Sequence, residues 1–182
     1  ESNVAVGSNA MGNTTTGYYN VAVGDHAGVG ITTGVENVAI GRATLYQNST
    51  GIRNTAVGYA ASNYGTAFSD TTTIGADAGV YATGSYNTFV GSHAGKGGQT
   101  SAPYSSGGNN VAVGYQTLKG FTTGVSNVAV GINSLGSLTT GENNIAIGHN
   151  AGDTMTSSGG CILIGNNAGG AINSADANGT IA

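Results

Sequence analysis

The sequence predicts an all-β protein, a repetitive β-solenoid (β-roll) of coils of about 17 residues. A motif of asparagine, a β-branched residue, a small residue, valine or isoleucine, and glycine recurs along the whole chain. Tight-turn residues separate its copies so often that no run is left for a helix. With 34 glycines and one proline in 182 residues, the composition suits short strands joined by turns. A fixed period of this kind is typical of solenoids.

The motif sets the domain organisation. Successive motif glycines lie 17, 17, 17, 17, 16, 23, 17, 17 and 17 residues apart. They are Gly7, Gly24, Gly41, Gly58, Gly75, Gly91, Gly114, Gly131, Gly148 and Gly165. We therefore expect one repeat array over residues 1–182, with ten clear units, a degenerate eleventh ending at Ala182, and a loop insertion at 96–106. Both ends stop inside the repeat, which favours a fragment of a longer fibre.

The columns of equivalent residues predict how a coil is packed. The residue before each motif glycine is always valine or isoleucine, and we expect this column to be the structural core ladder. Its members are Val6, Val23, Ile40, Val57, Ile74, Val90, Val113, Val130, Ile147 and Ile164. Because side chains alternate along a strand, the mostly alanine column beside it faces the opposite side. We expect that side to pack against sister chains.

The asparagine column predicts a ladder of amide hydrogen bonds between coils. Thr71 and Cys161 interrupt it, and Cys161 is interpreted as a small buried residue. Two buried aliphatic side chains per coil contribute ~1.5–3 kcal/mol each. Ordering the backbone of one coil costs roughly 17–34 kcal/mol. This thin core predicts a homo-oligomer, a homotrimer about the rod axis.

Charge and composition exclude several classes of partner. The net charge is −4, and the four basic residues are Arg42, Arg53, Lys96 and Lys119. Four scattered cations do not form the basic patch that nucleic acid requires. No apolar run is long enough to span a bilayer, so we expect no membrane insertion by this segment. The single cysteine cannot form an intrachain disulfide.

The residues that usually carry chemistry are scattered, so we expect no catalytic residue, no metal and no cofactor. His26 and His93 share a column four coils apart, about 19 Å, which is too far for a common metal. Asp25 and His26 are expected to point to opposite faces of a strand. Asp77 and Asp153 are interpreted as isolated, solvated turn residues. The glycosylation sequons at Asn13, Asn48 and Asn178 are too short a pattern to carry weight.

The insertion and the surface tyrosines are the candidate contacts for a receptor or glycan. Insertions in solenoids form one-sided loops that often bind, although a tolerated bulge is the alternative. Exposed tyrosine rings beside polar residues stack on sugars, although tyrosine also covers coil ends. The candidate residues are Lys96, Gln99, Tyr104, Tyr59 and Tyr115.

One unit in full shows a resemblance to known fibre proteins. The segment Asn20-Val21-Ala22-Val23-Gly24, followed by Ala27-Gly28 and Thr33-Gly34, resembles the head repeats of trimeric autotransporter adhesins. It resembles still more closely the repeats of phage tail fibres and related bacterial fibre proteins. The resemblance covers essentially the whole chain, and the shorter unit of adhesin heads favours the fibre relatives. It implies a trimeric left-handed β-roll, an extracellular or virion-surface location, and attachment to a host cell-surface glycan or protein receptor.

The expected function is that of a structural or adhesive segment of a trimeric extracellular fibre, most similar to a phage tail-fibre shaft or head. The head of a bacterial trimeric autotransporter adhesin is the alternative. A polysaccharide depolymerase ranks lower because it needs facing carboxylates, and no two of the eight acids recur in one column. An ice-binding solenoid would need a flat face of threonine ladders, whereas the Thr-Thr pairs lie at turns.

Overall fold

The computed structural model describes residues 2–102, 104–170, 172, 179 and 181–182, and these form an all-β solenoid. Ten strands of three residues pair in chain order into a single parallel sheet. The strands are β1 Val4–Val6, β2 Val21–Val23, β3 Val38–Ile40, β4 Thr55–Val57, β5 Thr72–Ile74, β6 Thr88–Val90, β7 Val111–Val113, β8 Val128–Val130, β9 Ile145–Ile147 and β10 Ile162–Ile164. No helix occurs within these described ranges. The predicted fold class is therefore confirmed.

The predicted register is also confirmed between neighbouring coils. Val6 lies opposite Val23, and Val23 lies opposite Ile40. The backbone bonds of each strand run to the coils before and after it: the N–H of Val21 donates to the oxygen of Asn37 at 2.8 Å, and that of Gly24 to Val6 at 2.8 Å. Like residues therefore form continuous columns along the whole sheet.

The assignment of the two strand faces is wrong, because alanine lies inside the coil and valine and isoleucine lie outside. Ala22, Ala39 and Ala129 are fully buried. Most residues of the predicted core ladder are instead exposed, namely Val6, Val23, Ile40, Ile74, Val113, Ile147 and Ile164, while Val57, Val90 and Val130 are half-buried. A strand of three residues points only its middle side chain inward, and the opposite wall of the coil leaves that side chain little room.

The outward faces of the ten strands form one continuous surface, which we call the valine–isoleucine stripe. It consists of the first and third residue of every strand, all of them valine, isoleucine or threonine. Ten of these side chains are between 36% and 61% exposed. The stripe contains no charged residue.

The interior is filled by side chains of complementary size from the strand and from the turn that follows it. In β8 the small Ala129 packs in the same cluster as Leu135. In β6 the inward residue is Phe89, and the equivalent turn position is Gly95, where an added Cβ would collide with the phenylalanine ring. Leucine at the turn thus accompanies alanine in the strand, and glycine accompanies phenylalanine. The sequence reasoning did not identify this second core column.

The asparagine ladder has the predicted connections. The Oδ1 of Asn20 accepts the backbone N–H of Asn37 at 3.0 Å and its side-chain N–H at 3.0 Å. The same Asn37 amide donates to the oxygen of Gly51 at 2.8 Å, which ties the ladder to the turn of the next coil. Where the column holds Cys161, the cysteine is fully buried and its N–H donates to Asn144 Oδ1 at 3.0 Å, so its interpretation as a small buried residue is confirmed.

The predicted eleventh copy pairs with the sheet in a different register. Ile181 forms a parallel bridge with Ile162, not with Ile164 as a 17-residue step requires. The N–H of Ala182 donates to the oxygen of Ile162 at 2.9 Å, and the N–H of Ile164 donates to Ala182 at 2.8 Å. Residues 173–178 and 180, which include the sequon at Asn178, lie outside the described residues.

Candidate functional site

The insertion leaves the solenoid after Lys96 and rejoins it at Ser105. Ser105 forms a parallel bridge with Ala82, and its buried Oγ accepts the N–H of Gln99 at 3.2 Å. The N–H of Thr83 donates to the oxygen of Ser105 at 2.7 Å, which restores the coil. The loop is therefore fixed at its base by a serine. Pro103, within the predicted insertion, lies outside the described residues.

The loop places its tyrosine on two earlier coils. The ring of Tyr104 lies 5.5 Å from that of Tyr64 and 6.1 Å from that of Tyr81, measured between centroids. Tyr64 and Tyr81 are stacked at 5.1 Å. The ammonium of Lys96 lies 6.0 Å from the centroid of Tyr81. These three rings, which we call the tyrosine ladder, bring two of the predicted contact residues, Lys96 and Tyr104, to one place.

The other predicted contacts lie elsewhere on the surface. Tyr59 and Tyr115 each follow a strand-ending glycine, and both rings are about half exposed. They stand three coils apart, about 14 Å along the rod. Tyr59 lies beneath the guanidinium of Arg42, 5.7 Å from ring centroid to Cζ. The hydroxyl of Tyr115 accepts the side-chain N–H of Gln116 at 2.9 Å. A role for any of these residues in receptor contact stays a prediction.

A cleft of about 350 Å³ opens at the start of the tyrosine ladder, across three consecutive coils. Tyr46 and Tyr64 line it, together with the amides of Gln47 and Asn63. His26 and Arg42 complete its polar side. Asn63 is positioned by its Nδ2, which donates to the oxygen of Ala43 at 2.9 Å. The sequence reasoning missed this cleft. Its one available signal was that Tyr64 and Tyr81 stand 17 residues apart, which places them in one column.

The charged edge of the cleft corrects the expectation for Asp25 and His26. The two side chains do not point to opposite faces: Nδ1 of His26 lies 2.7 Å from Asp25 Oδ1. The reason is local, since His26 has a φ of 57° and belongs to a left-handed turn rather than to a strand. The Nε of Arg42 donates to Asp25 Oδ2 at 3.2 Å. The pKa of Asp25 lies below its ordinary value, mainly because of the hydrogen bond from His26, with the charges of His26 and Arg42 adding to it.

The remaining histidines and acids do not assemble a metal centre. Asp77 is not isolated as expected, because its Oδ2 lies 3.6 Å from His93 Nε2. In the part of the chain that the structure describes, no three histidine, cysteine, aspartate or glutamate side chains lie close enough to hold a metal ion. Nor does any described segment form a helix with the length and apolarity needed to cross a membrane.

A second ion pair joins two coils away from the cleft and gives a test of the surface electrostatics. Arg53 donates to Asp70 through Nε at 2.6 Å and through Nη2 at 3.0 Å. This bidentate bond lowers the pKa of Asp70 below 3.8 and raises that of Arg53. Because the folded-state pKa of Asp70 is depressed, the pair stabilises the fold above the ordinary aspartate pKa. That stability is lost as the pH falls through the lowered value.

We expect the substitution Arg53→Gln to raise the pKa of Asp70 toward its ordinary value. The measurement is an NMR titration of the Asp70 carboxyl carbon from about pH 6 to about pH 2. Arg42→Gln is the control, since Arg42 pairs with Asp25 and should leave Asp70 unchanged. An Asp70 pKa that is the same with and without Arg53 would contradict the pairing.

Comparison of the chain with protein-family models, with curated proteins and with solved structures gives no match. The functional interpretation therefore depends on the surfaces described above.

Proposed function

We propose that this chain is a structural and adhesive segment of a homotrimeric extracellular fibre that takes part in attachment to a host cell surface. The observation that carries the proposal is the valine–isoleucine stripe. Ten strands present an uncharged, β-branched surface to the outside of the coil. Such a surface is favourable only when another apolar surface covers it, and further copies of the same chain present a matching one.

The size of the stripe supports more than two chains. Ten strands at about 4.8 Å spacing make it about 43 Å long, and three residues make it about 10 Å wide. Its area is thus about 430 Å², in the range where the largest apolar patch of a protein is usually functional. A stable interface buries about 800 Å² per partner. A face-to-face dimer through the stripe alone falls short of that value.

A threefold arrangement adds the flanks of the stripe. Three stripes that meet on one axis cover one another, and each chain then also contacts both neighbours through the residues beside the stripe. The side chains that directly follow the strand-ending glycines are suited to this, since Tyr59, Tyr115 and Ile132 are large, apolar in part and about half exposed. The trimer therefore buries the stripe and its flanks together. The alanine column, which we first expected to meet sister chains, fills the coil itself.

A rod of stacked coils is suited to spacing and presenting a binding surface. The repeats resemble those of phage tail fibres most closely, and we propose a tail-fibre-like shaft or head at the virion surface. The head of a bacterial trimeric adhesin uses the same kind of stripe and is the second candidate, which the 17-residue period favours less. We propose no catalytic step and no cofactor.

The test is the oligomeric state of the purified chain by size-exclusion chromatography with light scattering. We expect three times the chain mass of 17.7 kDa. The double variant Ile40→Lys/Ile74→Lys places two charges in the stripe and should give a monomer, because burying an unpaired ammonium is costly. The control Thr123→Lys/Thr140→Lys adds the same charge at exposed turns and should stay trimeric.

Circular dichroism of each variant separates dissociation from unfolding. A monomeric wild-type chain, or a stripe variant that remains trimeric, would contradict the proposal. Release of oligosaccharide from host capsule incubated with the chain would contradict its non-enzymatic part.

A further inference from the structure

We propose that the cleft between His26, Arg42, Tyr46 and Tyr64 binds a sugar residue that carries a carboxylate, as part of an acidic cell-surface polysaccharide. The inference rests on the proposed adhesive function and names its ligand class. The first argument is size and shape. A volume of about 350 Å³ is at the lower end of the range for small-molecule sites, which suits one or two sugar rings.

The second argument is the composition of the walls. Tyrosine rings offer an apolar face to the C–H groups of a sugar while the hydroxyl group stays in contact with water. Tyr46 and Tyr64 supply two such rings on neighbouring coils. Gln47 and Asn63 supply amide groups, which pair with hydroxyl groups as donors and acceptors. Because Asn63 is already held by its bond to Ala43, its amide oxygen is fixed in place.

The third argument is charge. The cleft is lined by one permanent cation, Arg42, and by no carboxylate. Asp25 stands at its edge and takes only the Nε of Arg42. Among the described residues, the two terminal nitrogens of that guanidinium make no hydrogen bond, although they form the planar fork that binds a carboxylate in bidentate fashion. The guanidinium is held in place by Asp25 on one side and by the Tyr59 ring on the other.

The fourth argument is continuity with the tyrosine ladder. Tyr64 belongs both to the cleft and to the ladder, which continues through Tyr81 to Tyr104. Lys96 stands over the far part of the ladder, three coils from Arg42, or about 14 Å along the rod. A chain of sugars that starts in the cleft and runs along the rod therefore meets further aromatic rings and a second cation. This direction suits a polymer better than a single free acid.

Isothermal titration calorimetry with defined oligosaccharides tests the proposal. The probes are tetragalacturonate, a hyaluronan tetrasaccharide and trisialic acid, each beside its carboxyl-reduced counterpart. We expect at least one acidic probe to bind with a Kd of about 1 mM or lower, and its reduced counterpart to bind at least tenfold more weakly. Arg42→Gln and Tyr46→Ala should each weaken binding about tenfold or more. The controls Arg53→Gln and Tyr18→Ala change exposed residues outside the cleft and should bind like the wild type.

The outcomes separate this inference from the proposed function when the mass of the same sample is measured. Binding of none of the acidic probes to a trimeric sample overturns the cleft proposal and leaves the fibre proposal standing. Equal binding of acidic and reduced probes overturns the role of Arg42. Selective binding by a monomeric sample supports the cleft and contradicts the homotrimer. Circular dichroism of Arg42→Gln and Tyr46→Ala shows that a loss of binding is not a loss of fold.

Discussion

Gly58→Ala is expected to lower the free energy of unfolding by about 3–5 kcal/mol, as the sum of backbone strain and steric overlap. Gly58 has a φ of +130°, which side-chain-bearing residues rarely adopt. An added Cβ would also stand 2.6 Å from the carbonyl oxygen of Gly75 in the next coil. Backbone atoms cannot move aside as a side chain does, so the two coils would have to separate. The expected loss is a large part of the stability of an ordinary domain.

Gly165→Ala is the matched control for this prediction. Its φ is +134°, but the nearest described atom to the added Cβ is the Cβ of Ala168 at 4.0 Å, an ordinary contact. We expect it to cost about 1–3 kcal/mol, from backbone strain alone. Thermal and urea unfolding followed by circular dichroism measures both. Equal losses for the two variants would show that the approach of successive coils is not what selects glycine.

Asn37→Ala is expected to cost about 2–4 kcal/mol, because it breaks several bonds of a buried ladder at once. The Oδ1 of Asn37 accepts the backbone and side-chain N–H groups of Asn54, both at 3.0 Å. Its Nδ2 donates to Asn20 and to the oxygen of Gly51. Alanine leaves these fully desolvated partners without their bonds, and that desolvation is the main cost.

The control for the ladder is Asn13→Ala, at an exposed turn residue. A surface substitution of this kind should change stability by no more than about 0.5 kcal/mol. The same unfolding curves serve for both variants. If Asn37→Ala were as mild as Asn13→Ala, the ladder would be a consequence of the fold and not one of its causes.

The columns could be predicted from the sequence, but the inner and outer faces could not be told apart. An alternating pattern says that Val21 and Val23 share one side and that Ala22 takes the other. It does not say which side is interior. The usual preference for large apolar residues inside favoured the wrong answer here. The decisive quantity was the width of the coil, which is set by the turn residues: leucine at positions such as Leu135 already fills the space that a strand valine would need.

The candidate site could be predicted where the repeat was broken, and it was missed where the repeat was intact. Lys96 and Tyr104 stood out because the insertion interrupts the period. Tyr46 and Tyr64 occupy ordinary positions, and only the stacking of three coils brings them to one cleft. Asp25 and His26 were misjudged because the residues after the strand glycine were treated as extended, whereas the chain turns there through left-handed conformations.

The stacking of coils also determines how the rod responds to tension. Each coil is bonded to the next at equivalent residues 17 positions apart, so a pull along the axis loads one coil boundary after another. A coil that detaches changes from a rise of about 4.8 Å to an extended length of about 56 Å. Within a chain, such a tether would lengthen more than tenfold by successive rupture events and dissipate work at each one. A particle held to a surface by such segments would be restrained by many small failures in sequence and not by one abrupt detachment.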